Sequence, residues 1–427
     1  MKFADTTVIL TKHMPGRRVL IAAILLLATS SGSAFAETWK GQELERKWHD
    51  AAWKFGPFRI QPSLVISNAG VDSNLYYSTN EPIKDFTITA GPAATIYFPI
   101  HRRFVLSLYG SPQYVWYSKT DRERTWNYYF NGAAQLSLKN VFFSLEGNYS
   151  DARERWNTEI DIRPRRKEKG YGGSVLVKTS RKTSVSLVYR TSKYDYENVE
   201  YEGGFNIRER LNRTESYATF SAFYQAGSQK RFFVDLEYGL YGFEFTEQAA
   251  LIDSQSVAAY AGLEFPTLGR RIRGRIRVGY KKFDIRNPEG TDYGGVVGDS
   301  QLSVRLARPF VLRGSYRRDI WFSLWYENPY YVETRPGAGV SFYPVKFLRF
   351  DYDYSLGRNN YPVAQKVLPG EEVKRRDEYS THSAAIYFRI KKNVGLGFIA
   401  SWWARNSNLN AEDDKRTFFG LNLTYEF

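Results

Sequence analysis

From about residue 57, apolar and polar residues alternate with a period of two almost without interruption. In residues 126–138, Trp126, Tyr128, Phe130, Ala134, Leu136 and Leu138 share one parity, while Asn127, Asn131, Gln135 and Ser137 share the other. Residues 347–358 repeat the pattern: Leu348, Phe350, Tyr352, Tyr354 and Leu356 alternate with Arg349, Asp351, Asp353 and Ser355. The chain ends the same way, with Phe419, Leu421, Leu423, Tyr425 and Phe427 set against Asn422, Thr424 and Glu426. Successive side chains of a strand point to opposite faces, so each stretch is a strand with one apolar and one polar face.

Two kinds of connection separate these strands. Short ones, rich in Gly, Pro and basic residues, fall around Pro99–Arg102, Lys139–Asn140, Ser180–Lys182, Gly227–Gln229, Leu268–Arg270, Arg308–Pro309, Pro344–Val345 and Lys391–Asn393. Longer, charged ones fall near 70–84, 120–125, 153–169, 196–213, 246–252, 286–292, 324–328, 360–377 and 408–414. The two kinds interleave, which predicts an even number of strands with both termini on the short-turn side. Short turns on one side and long loops on the other are the layout of a transmembrane barrel. A spanning sheet must close on itself, because hydrocarbon offers no partner for an unpaired backbone edge. The predicted fold is therefore all-β: a single transmembrane antiparallel up-and-down β-barrel over residues 57–427, of about 18 strands (16–20), with short periplasmic turns and longer external loops. Aromatic residues make up 17% of the chain, an excess that suits girdles at the two membrane interfaces. The mean hydropathy of −0.48 is that of a soluble protein. A barrel with a polar lumen reconciles it with a membrane location.

The first residues read as a secretory signal. Lys12, Arg17 and Arg18 precede the apolar run 19–29, and Ala34-Phe35-Ala36 supplies a small-x-small cleavage site. The run is too short to cross a bilayer as a helix, and no later stretch is long and apolar enough to do so. Residues 1–36 are thus expected to be a cleaved signal peptide. In residues 37–56, Trp39, Leu44, Trp48 and Ala52 sit near helical spacing among charged residues. Two readings stay open there: a short amphipathic periplasmic helix, or a poorly ordered terminus.

The segment Phe58-Arg59-Ile60-Gln61-Pro62-Ser63-Leu64, followed by Gly70-Val71-Asp72-Ser73-Asn74-Leu75-Tyr76, resembles the opening of outer-membrane proteins of the putative beta-barrel porin 2 type. The terminal Phe427 resembles the C-terminal signal read by the barrel assembly machinery. The resemblance implies a barrel of the cell outer membrane and an association with exopolysaccharide export, with export components as partners. The chain differs from ordinary porins in that no single loop dominates, so no inward-folding constriction is expected.

Parity assigns the lumen face. In residues 271–281, Arg273, Arg275, Arg277 and Lys281 share one parity, and Ile272, Ile276, Val278 and Tyr280 the other. An Arg on the lipid face at the midplane costs roughly 2–4 kcal/mol, so the four cations must point inward. Arg305, Arg313, Arg317, Arg335 and Arg349 take the inward parity of their own strands, as do the acidic Asp235, Glu237, Asp351 and Asp353. Two readings stand side by side. The basic wall can attract anionic solutes, since guanidinium forks suit carboxylate and phosphate. Alternatively, Arg and Asp/Glu pair across the lumen and brace a hollow cylinder. The function expected is an outer-membrane pore for polar or anionic solutes. The alternatives are a sheath around a periplasmic partner such as a multi-haem cytochrome, or a closed structural barrel.

Other chemistries are thin. The chain has no Cys and four His, which excludes disulfides, thiolate zinc sites and a haem of its own, and no cofactor is expected. His382, in a strand near Ser380 and Ser383, is isolated, and no phosphate loop or metal cluster is present, so no enzyme is expected. The net charge of +15 is spread through strands and loops without a reader motif, which argues against nucleic acid. The basic loop 153–169 could meet lipopolysaccharide phosphates, or simply be solvated.

Overall fold

The computed structural model describes residues 48–427, apart from 80, 160, 202–204, 228–229, 269–270, 326, 369–370 and 410–412. The expected signal peptide, residues 1–36, and most of the segment 37–56 lie outside the described residues. The strands are β1 (Trp53–Phe55), β2 (Phe58–Asp72), β3 (Asp85–His101), β4 (Phe104–Tyr117), β5 (Thr125–Ser137), β6 (Val141–Arg153), β7 (Arg165–Lys178) and β8 (Thr183–Tyr196). A two-stranded hairpin in a loop follows, β9 (Glu200–Tyr201) with β10 (Phe205–Asn206). The wall continues with β11 (Arg213–Ala226), β12 (Lys230–Phe243), β13 (Ser254–Leu268), β14 (Ile272–Ile285), β15 (Tyr293–Ala307) and β16 (Phe310–Phe322). It ends with β17 (Tyr330–Val345), β18 (Leu348–Leu368), β19 (Glu371–Lys391), β20 (Val394–Ser407) and β21 (Asp414–Glu426).

Eighteen of these strands, β2–β8 and β11–β21, form a closed antiparallel barrel. Each pairs with its successor, β8 pairs with β11 across the hairpin, and β21 closes on β2 with Leu64 opposite Tyr425 and Val71 opposite Phe419. The extra strand β1 lies against the start of β2, Trp53 opposite Ile60. In the segment 37–56, Trp48 and His49 are helical, and the helix does not extend to 53–55, where alternation and a Gly56-Pro57 turn favour a short hairpin.

The alternation decides what each face meets. On β12, Phe232, Val234, Leu236 and Tyr238 are exposed outward, and Phe233 and Asp235 are buried inward. On β14, Val278 and Tyr280 face lipid while Lys281 is buried. The outward band is apolar because nothing in hydrocarbon would satisfy a polar group. β18 and β19 run further than the other strands, so much of the segment 360–377, expected as a loop, is an extension of the wall beyond the membrane. Likewise Arg165, Arg166, Lys167 and Lys169, expected in a loop, begin β7.

Inward aromatic rings often lie over a glycine on the next strand. Phe233 faces Gly262, Tyr260 faces Gly279 and Tyr379 faces Gly357. A Cβ at Gly357 would come within 2.0 Å of the Tyr379 ring, so only glycine admits this arrangement. The covered rings give the lumen wall flat apolar platforms.

Candidate functional site

The lumen has two parts, a charged wall at mid-height and a plug of loops at the outer mouth. The plug departs most from expectation. No constriction loop was expected, yet residues 154–164, between β6 and β7, cross to the opposite side of the barrel. Asp161 receives the Arg405 guanidinium from β20 at 2.8 Å and that of Arg155 at 2.7 Å. Arg405 also donates to the Thr158 carbonyl at 2.6 Å and pairs with Asp414 at 2.9 Å. Asn359 of β18 donates to Thr158 Oγ1 at 2.8 Å. Glu159, 1% exposed, accepts from Ser323 Oγ at 2.7 Å and from the Leu324 backbone N–H at 2.9 Å. Burial pushes its carboxyl up from the ordinary value, against the pull of Arg375.

Neighbouring loops complete the closure. The short helix Ile207–Leu211 is capped by Asn206, whose side chain accepts from the Glu209 N–H at 3.3 Å. Its Ile207 and Leu211 pack with Tyr196 and Leu324, and Trp156 and Ile162 of the crossing loop cover them. Arg210, fully buried, donates to Gln248 Oε1 and to the Trp325 carbonyl, both at 2.7 Å. The Arg155 guanidinium lies 3.7 Å from the Tyr77 ring centroid and 4.8 Å from that of Trp403. Tyr77 adopts φ 58°, an unfavourable conformation for an aromatic residue, and Arg416 donates to its hydroxyl at 2.7 Å. Nothing in the sequence announces this network. Its partners lie up to 247 residues apart and come together only when the barrel closes.

Below the plug, the cations of the wall face the lumen, mostly in ion pairs. Arg275 contacts Asp235 at 2.9 Å and Glu264 at 3.6 Å, with its guanidinium 4.2 Å from the Phe233 ring. Arg277 holds Asp299 at 2.5 Å, approaches Asp235 at 3.7 Å and lies 4.1 Å over Tyr260. Lys281 pairs with Asp319 at 2.7 Å. Arg313 grips Asp353 with a forked contact at 2.8 Å and reaches Asp351 at 3.4 Å. Arg349 pairs with Asp351 at 2.7 Å. Glu237 takes the inward parity of β12, and Arg273 is half-buried on the inward parity of β14. Arg305, Arg317 and Arg335 also point inward and, among the described residues, have no carboxylate within ion-pair distance. Three acidic partners were missed: Glu264, Asp299 and Asp319. Inward parity on adjacent strands was a signal that could have found them.

The lumen is not filled at this height. Ser315 is exposed on the inward face of β16, and the inward side chains of Asp353 and Asp299 are 41% and 43% exposed. The opposite wall is largely uncharged, with Thr87, Thr89, Ser111 and Asn127 facing in. At the periplasmic end, Phe427 is exposed, its ring centroid 5.8 Å from that of Trp53 and 4.8 Å from that of Tyr425.

Solved structures similar to this chain are outer-membrane transport barrels. OccAB2 of Acinetobacter baumannii matches with a TM-score of 0.48 and 11% identity, over 86% of this chain and 98% of its own. OccK3 (OpdO) of Pseudomonas aeruginosa matches at 0.46 and 11%, over 86% and 95%. The siderophore receptor PirA of Acinetobacter baumannii matches at 0.45 and 7%, over 86% and 80%. No curated protein matches the chain. The family model described as Putative beta-barrel porin 2 matches residues 50–427, nearly all of the described chain. This 18-stranded barrel of the cell outer membrane thus belongs to the Putative beta-barrel porin 2 family.

Proposed function

We propose that the barrel is a gated pore for small polar solutes, with its gate at the outer mouth. One observation carries this reading. The lumen keeps exposed polar and charged side chains at mid-height, while its outer end is covered by loops held through hydrogen bonds and ion pairs rather than by wall strands. Such a cover can undock without opening the barrel, because every barrel backbone pairing lies in the wall. Ion pairing at mid-height favours zwitterionic or weakly charged solutes over strong bulk anion selectivity, since most cations there are already compensated.

The sheath reading is less well supported. The chain's own residues 154–164, 207–211 and 323–329 occupy the outer mouth, which leaves a threaded cytochrome less room. Export of an acidic polysaccharide would need the same loops to move aside. As part of this proposal, Phe427 serves the barrel assembly machinery, and the outward-facing Lys167 and Lys169 at the outer end of β7 meet lipopolysaccharide phosphates.

The test is planar-bilayer recording of the refolded barrel. Discrete conductance with transitions between closed and open levels is expected. A barrel that never conducts, even after deletion of residues 155–162, would refute the pore.

A further inference from the structure

The charges at mid-lumen are not balanced everywhere, and one position stands apart. Arg317 of β16 and Arg335 of β17 occupy directly opposite places on two paired strands, both facing inward. Opposite residues of an antiparallel pair hold their Cβ atoms about 4.5–5.5 Å apart, and like charges there destabilise the sheet. Elsewhere in this wall the sequence relieves such crowding with a carboxylate, as Arg275, Arg277, Lys281, Arg313 and Arg349 illustrate. Here it does not.

The acidic residues nearby are engaged elsewhere. Asp319 and Glu333 form the next opposite pair towards the outside on the same face. Asp319 is taken by Lys281 at 2.7 Å, and Glu333 accepts the Tyr379 hydroxyl. Instead of carboxylates, the two guanidinium groups have neutral supports. Arg317 lies 4.4 Å over the Trp321 ring, and Arg335 lies 5.8 Å from the Tyr379 ring. Arg335 donates to Ser355 Oγ from Nε at 3.4 Å and from Nη2 at 3.2 Å, so a bound oxyanion would take the place of this hydroxyl on that edge or use the Nη1 side. Stacking fixes the plane of the Arg317 guanidinium and leaves its donor edge free, the form that suits a two-pronged oxyanion. Ser315, two residues from Arg317 on the same face, is exposed, so lumen water reaches this height.

We infer that Arg317 and Arg335, with Ser355 beside them, form an anion-binding subsite in the lumen, just beneath the outer plug, for a carboxylate or phosphate group. An oxyanion seated between the two forks removes their mutual repulsion and supplies acceptors for donors that now face water. The paired ladder of β14 cannot do this without giving up its own carboxylates. The subsite rests on the pore reading for its role, but its binding can be tested separately.

The probe is inorganic phosphate, titrated against chloride current through single wild-type barrels and through R317Q/R335Q. Millimolar phosphate is expected to produce brief blockades in the wild type. The half-blocking concentration should rise at least tenfold in R317Q/R335Q, with R317K/R335K intermediate, because lysine keeps the charge and loses the fork. Equal block in wild type and R317Q/R335Q, or no block in a conducting wild type, overturns the subsite and leaves the pore standing. If neither the wild type nor the barrel lacking residues 155–162 conducts, the pore reading falls instead. Calorimetric titration of phosphate into the detergent-solubilised barrel then decides the subsite. Heat of binding in the wild type that is lost in R317Q/R335Q supports it, and no heat in either overturns it.

Discussion

Replacing Asp161 with Ala tests the gate most directly. Its carboxylate joins the crossing loop to the far wall through Arg405 at 2.8 Å and binds Arg155 within the loop at 2.7 Å. Arg405 is fully buried, and the Arg155 side chain is 8% exposed. Hydrogen bonds to charged groups contribute about 1.5–3 kcal/mol each. The lower end applies here, because Arg405 keeps Asp414 at 2.9 Å and Arg155 keeps the Thr158 carbonyl at 2.8 Å. Only the bond to Arg405 joins the loop to the wall, so its loss gives about 1.5 kcal/mol. At 1.4 kcal/mol per factor of ten, the docked-to-undocked ratio falls roughly tenfold. No barrel strand pairing involves Asp161, so the wall should remain folded. The assay is open probability in single-channel recordings, with resistance of the barrel to unfolding in detergent as the check on the wall. Asp161→Ala should be open far more often than the wild type, and Asp161→Asn should lie between them. If open probability and open-state conductance stay at wild-type values in a folded Asp161→Ala barrel, residues 154–164 do not gate the lumen.

Three further predictions concern other parts of the barrel. Burial raises the Glu159 carboxyl in the docked loop, while an undocked loop returns it to about 4.3. The docked form therefore binds the proton more tightly. Docking is strongest below the undocked value and weakens as pH rises from there through the raised one. Open probability should increase as pH rises from about 4 towards neutrality, and Glu159→Gln should flatten that profile. Arg277→Gln leaves Asp299 facing lumen water. A unit charge at about 4 Å is worth ~1 kcal/mol even in water, so the K+/Cl− permeability ratio should rise several-fold and return in R277Q/D299N. A double variant as cation-selective as the single would contradict the pairing. Gly357→Val places side-chain atoms against the Tyr379 ring, where a Cβ alone would come within 2.0 Å, and should cost about 1–3 kcal/mol of barrel stability in thermal unfolding. Gly395→Val, whose Cβ would meet nothing within 4 Å, should cost much less.

The barrel itself was legible from the chain alone. Side-chain direction in a strand has period two, so Trp126, Phe130, Tyr352 and Leu356 could be sent to the lipid, and Asn127 and Asp351 to the lumen, before any tertiary contact was known. Alternating short and long connections gave the strand number, because each hairpin must return to the membrane side it left. The same parity put Arg273, Arg275, Arg277 and Lys281 on one inward face.

Only the tertiary structure decided which cations have a carboxylate partner. Pairing depends on register between strands, and Arg277 meets Asp299 because β14 and β15 align those two residues. A slip of two residues would preserve every face and change every partner. The plug was invisible for a related reason. Residues 154–164 carry no periodicity, and their contacts with Ser323, Asn359 and Arg405 depend on the curvature that brings opposite walls together. Local pattern determines the direction of a strand's side chains, whereas contacts across a lumen depend on the closed geometry of the whole sheet.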